Sequence, residues 1–103
     1  MANETQIYST VDQVDIERLK EVVKAKVYGI TDVVHITTWA NAIYLCLLGY
    51  KGEPEGIAEF TTFNGKLVFH NYTTIATIIS SPFIESLEYA AKLMNTPVVE
   101  RED

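Results

Sequence analysis

The 103-residue chain reads as one α+β domain spanning residues 1–103. The expected order is helix, antiparallel four- to five-stranded meander, helix, with both helices packed on one face of the sheet. Three observations predict it. An apolar stripe at helical spacing runs through residues 12–28. A stretch rich in β-branched and aromatic residues, punctuated by turn signals, fills 32–72. A second helical stripe follows Ser81-Pro82. With 48% hydrophobic and 21% charged residues, the chain lies well away from the compositions that stay disordered.

In the first helix Ile16, Leu19, Val23 and Val27 recur every three or four residues, and Val22 widens the stripe. Asp12 or Asp15 can cap its start, the lysines near its end complement the helix dipole, and Gly29 supplies a left-handed stop.

The strand region is anchored by Asn64-Gly65, the pair most suited to a two-residue hairpin turn. That turn predicts Phe63 opposite Lys66, Thr61 opposite Val68, Glu59 opposite His70 and Ile57 opposite Tyr72. A second tight turn at Ala40-Asn41 sets Thr37 opposite Tyr44, Ile36 opposite Leu45 and His35 opposite Cys46, and Lys51 to Gly56 makes a longer connection. Residues 73–79 are β-branched and extend the pattern toward a fifth strand, and Gln6 to Ser9 offers at most a short edge strand. Ser81 as cap and Pro82 at the first turn open the second helix, whose stripe is Phe83, Leu87, Ala90, Ala91 and Met94, and Asn95-Thr96-Pro97 closes it.

Strict alternation divides the sheet into two faces. One carries Val34, Ile36, Ile43, Leu45, Leu47, Ala58, Phe60, Leu67 and Phe69 and is the expected core. The other carries Trp39, Tyr44, Phe63 and Tyr72, with Val33, His35, Thr37, Cys46, Leu48, Tyr50, Ile57, Glu59, Thr61, Val68 and His70 among them. Two helices side by side cover about 20 Å, enough for one face of four or five strands and not for both. The second face is therefore expected to be apolar and uncovered by the chain itself, which marks an interaction site.

These features lead to the expected function, a non-catalytic protein–protein interaction or regulatory module. It is expected to be a small homodimer, with another protein as the other occupant of the face. Trp39, Tyr44, Phe63 and Tyr72 are its expected anchors, framed by His35, Glu59 and His70. The alternative is a pocket for a small organic molecule on the same face. A third reading is an enzyme built on Cys46 with His35, or on Glu59 with His70, and it lacks a complete catalytic constellation.

Eight Lys plus Arg against fourteen Asp plus Glu give a net charge of −6, which disfavours nucleic acid as a partner. The two histidines and the lone cysteine match no metal spacing, and no cofactor motif is present. No apolar run is long enough to span a membrane, no secretory leader is seen and Cys46 cannot form an internal disulfide, so a cytoplasmic protein is expected.

Overall fold

The computed structural model describes residues 8–74 and 80–96. Its elements are α1 (Ile16–Lys26), β1 (Asp32–Trp39), β2 (Ala42–Leu48), β3 (Pro54–Phe63), β4 (Lys66–Thr74) and α2 (Ser81–Met94). The strands form a four-stranded antiparallel meander in the order β1-β2-β3-β4, as the alternation of strand runs and turns predicts.

α1 begins at Ile16, the first residue of the apolar stripe, and is shorter at both ends than the expected span 12–28. The Asp15 carboxylate accepts a hydrogen bond from the Arg18 backbone N–H at 3.1 Å and caps the helix. Upstream, Val11–Gln13 makes a single 3-10 turn instead, and the Gln13 side-chain oxygen accepts from the Ser9 N–H at 2.6 Å. α1 ends at Lys26, and Gly29 follows with a φ of +87°. The N-cap position of α2 is Ser80, one residue ahead of the expected Ser81, and its backbone carbonyl accepts from the Phe83 N–H at 3.1 Å, with Pro82 in the first turn where a missing N–H costs nothing. Its Leu87, Ala90, Ala91 and Met94 are buried, as the stripe requires.

Both helices lie on the same side of the sheet. α1 packs on β1, α2 packs on β4, and the two helices touch each other. Leu19, Val23, Leu87, Ala90 and Met94 join Ile43, Leu45, Leu47, Ala58, Phe60 and Leu67 in one buried core. Two polar ties close its ends. The Tyr8 phenol donates to the Met94 carbonyl at 3.3 Å while its N–H donates to the Gly65 carbonyl at 2.7 Å. The Asn95 side-chain amide donates to the Leu67 carbonyl at 2.9 Å, joining the end of α2 to β4.

The turns behave as their residues dictate. Asn64 and Gly65 both take positive φ, 53° and 76°, which gives the hairpin its tight reversal and sets Phe63 opposite Lys66 and Thr61 opposite Val68. Ala40 takes a φ of 57° in the β1–β2 turn, and Trp39 pairs with Ala42 and Thr37 with Tyr44.

Away from the turns, two bulges overturn the expected register. In β1 the extra residue is Ile36: His35 pairs with Leu45 and Val34 with Cys46. In β4 it is His70: Phe69 pairs with Phe60, Asn71 with Glu59 and Thr73 with Ile57. One inserted residue moves every side chain beyond it to the opposite face. Val33 is consequently core at 2% exposure, whereas Val34 and Ile36, expected in the core, are 44% and 48% exposed. β4 runs to Thr74, and the rest of the expected fifth strand, residues 75–79, lies outside the described residues, as do Gln6 and Ile7 of the expected edge strand.

Candidate functional site

Among the described residues, α1 and α2 cover the inner face of the sheet and no element lies over the outer face. Along β2 the division is sharp: Ile43, Leu45 and Leu47 are fully buried, and the intervening Tyr44, Cys46 and Leu48 are only half-buried. Trp39 is 70% exposed and Phe63 66% exposed at the hairpin end of this outer face. Between them and the middle of the sheet, Ile36, Thr37, Trp39, Tyr44 and Ile57 line an open depression of about 460 Å³. Val34 and Ile36, each nearly half exposed, add apolar area beside this depression.

The bulges decide which expected site residues belong here. Trp39, Tyr44, Phe63 and Glu59 lie on the outer face. Tyr72 does not. The His70 bulge turns it inward, where it opposes Ala58 and packs against Phe83 of α2 with ring centroids 5.0 Å apart. The same ring occupies the space above Gly56, where a Cβ would lie 2.5 Å from the phenolic oxygen. An aromatic ring over a strand glycine fills the void that the missing side chain leaves. Burial, then the Glu55 carboxylate, then Cys46 push the Tyr72 phenol up to about 12.

His35 also leaves the outer face. It opposes Leu45 at the edge of the inner face, and its Nε2 shares a hydrogen bond with the Thr38 hydroxyl at 2.9 Å. Cys46 stays outside, opposite Val34, so the expected thiol–imidazole pair is split between the two faces. The expected Glu59–His70 pair is likewise broken, since Glu59 opposes Asn71 and His70 sits exposed in the bulge. Tyr50 belongs to a 3-10 turn after β2, with the Lys51 ammonium 5.4 Å from its ring centroid, and not to the sheet.

Glu59 has a different partner, the Tyr44 phenol on the neighbouring strand, which donates to its Oε2 at 3.2 Å. Desolvation, followed by the Glu59 charge and this hydrogen bond, raises the Tyr44 pKa. The pair places one fixed carboxylate beside the depression. Ile36 is the lining residue that strict alternation missed. The Val33-Val34 doublet is the relevant signal, because two adjacent apolar residues fit either face and leave the register to other forces.

Among the described residues no group of three or more His, Cys, Asp or Glu side chains is placed to hold a metal ion, and no helix is long and apolar enough to cross a membrane. Comparison with known families, curated proteins and solved structures gives no match for this chain.

Proposed function

We propose that this chain is a non-catalytic interaction module, regulatory in role, whose outer sheet face is its contact surface. The observation that carries the reading is the simultaneous exposure of Val34, Ile36, Trp39 and Phe63 on one side of a sheet whose other side packs beneath the helices. Exposed aromatics around a depression have the composition of interface anchors, and truncating such residues typically costs the most in binding. The free Cys46 thiol fits action in a reducing compartment, the cytoplasm. The two side-chain pairs on which an enzymatic reading would rest are not cross-strand partners in this register, which favours the interaction reading.

A photo-crosslinking residue at position 63, with a control at Tyr28, tests the reading in cells. Tyr28 is 91% exposed and follows α1, away from the outer face. A discrete adduct from position 63 and none from position 28 is expected. Absence of any adduct at 63 would leave the reading without a contact.

The depression lined by Ile36, Trp39, Tyr44 and Ile57 also favours a second reading, a site for a small apolar molecule. A thermal-shift screen separates the two, since a ligand raises the melting temperature with the logarithm of its own concentration, whereas an associating subunit responds to the concentration of the protein.

A further inference from the structure

Resting on that reading, we infer that the outer face is covered by a second copy of this chain, sheet against sheet about a two-fold axis. Size is the first argument. The strands are 7 to 10 residues long. Four of them, about 4.8 Å apart and rising about 3.3 Å per residue, span roughly 19 by 26 Å, or about 500 Å² in projection before side-chain relief is added. A stable interface takes about 800 Å² from each partner, so a partner must match a broad, flat part of this face together with the side chains that stand on it. A sheet of equal size and flatness does this in one step, and the chain's own sheet is such a surface.

Charge is the second argument. The chain carries −6, so two copies repel wherever their acidic surfaces meet. Along the three outer rows from Phe63–Lys66 through Trp39–Ala42 to Tyr44–Glu59 the charged side chains are Glu59 and Lys66, which cancel. This is a place where two copies can approach without facing like charges.

Complementarity is the third. On β3, Phe63 and Glu59 stand four residues apart; Lys66 lies opposite Phe63, and Tyr44 lies opposite Glu59. The row midway between them runs Trp39, Ala42, Thr61, Val68. A two-fold axis crossing the strands at that row exchanges the two flanking rows. It keeps each strand over its own copy, so Phe63, the projecting ring, comes over the partner's Glu59 at the Tyr44 edge of the depression, and Lys66 comes over the partner's Asn71, one strand spacing of about 4.8 Å from that carboxylate. The contact is made twice, as an isologous interface requires. Ala42 and Thr61, both small, sit at the axis and let the sheets close.

Light scattering across a micromolar dilution series tests the pairing. Twice the 11.6 kDa chain mass is expected at the upper end. Phe63→Glu should be monomeric, with an unchanged circular-dichroism spectrum. Should it fail to fold, Trp39→Gln serves instead. Glu59→Lys and Lys66→Glu should each weaken association roughly tenfold by setting like charges together, and the double exchange should restore it. Labelling of Cys46, which lies on this face, should be slowed by association and restored on dilution.

A monomer at every concentration overturns the inference, and so does a dimer indifferent to Phe63, Glu59 and Lys66. The adduct formed from position 63 separates this failure from that of the interaction reading. Twice the chain mass supports the pairing. Any other larger mass removes the second copy and keeps the contact surface. A single-chain mass or no adduct removes both.

Discussion

The two faces of this sheet are made from the same kinds of residue and differ in what lies over them. Phe60 and Phe63 make the comparison compact. They are three residues apart on β3, yet Phe60 is fully buried beneath the helices, with its ring 5.7 Å from Phe69, while Phe63 is 66% exposed. Side-chain chemistry alone therefore does not define the core of this fold. The core is the face to which α1 and α2 bring Leu19, Val23, Leu87 and Met94. The opposite face is left with a surplus of apolar area, and that surplus is the basis of the proposed function.

The largest expected effect breaks the comparison directly. Phe60→Ala removes a ring from a site with no solvent access and should cost about 3–5 kcal/mol. Phe63→Ala should change the stability of the isolated subunit by no more than about 0.5 kcal/mol. Urea unfolding at high dilution, where association is absent, measures both. If Phe63→Ala proved as damaging as Phe60→Ala there, Phe63 would be packed within its own subunit and the outer face would lose its freedom.

A second substitution acts where the inner face depends on the absence of a side chain. A Cβ at Gly56 would lie 2.4 Å from the Thr73 carbonyl oxygen and 2.6 Å from Cζ of the Tyr72 ring. The first obstacle is backbone and cannot swing aside. Gly56→Ala should therefore cost about 1–3 kcal/mol. Pairing it with Tyr72→Ala sharpens the argument. Removing the ring relieves one clash and leaves the other, so the glycine substitution should remain costly in that background.

How much of this was legible in the sequence follows the same geometry. Near the turns the reading holds, because Asn64-Gly65 and Ala40-Asn41 fix the first pairs of each hairpin by backbone preference alone. Four or five residues away it fails. Nothing in Val33-Val34-His35-Ile36 says that Ile36 is inserted, since apolar residues occupy both phases of the alternation and His35 satisfies either. The same holds for Phe69-His70-Asn71-Tyr72, where polar and aromatic residues alternate on each side of the bulge. Trp39, Tyr44 and Phe63 were placed on the outer face because each lies on the turn side of its bulge or on an unbulged strand. His35 and Tyr72 lie beyond the bulges, where strict alternation assigns the face opposite to the one they occupy. Gly56 holds the one clue to Tyr72: a glycine inside a strand calls for a neighbour to fill its space. The helices were legible throughout, since their 3.6-residue period is not disturbed by an inserted strand residue.

The smallest expected effect contrasts the phenol of each face. Tyr72 is pushed up to about 12 by burial first and by the Glu55 carboxylate next. Its ordinary value in the unfolded chain is about 10. A group that is harder to ionise when folded contributes its full stability below pH of about 10 and loses it as pH rises toward about 12. Stability should accordingly decline over that window, and Tyr72→Phe should flatten the decline by on the order of 1 kcal/mol, allowing for solvent screening of a half-buried phenol. Tyr44 is also raised, by desolvation and by the Glu59 carboxylate that its phenol contacts, but it stands at the open face. Tyr44→Phe should leave the alkaline unfolding of the dilute subunit nearly unchanged. In the associated form both Tyr44 phenols lie between the sheets beside their carboxylates, and ionising them sets negative charges together in a water-poor contact. Alkaline conditions should then dissociate the pair, an effect that Tyr44→Phe removes and Tyr72→Phe does not. Scattering and circular dichroism followed together through that pH window distinguish loss of the contact from loss of the fold.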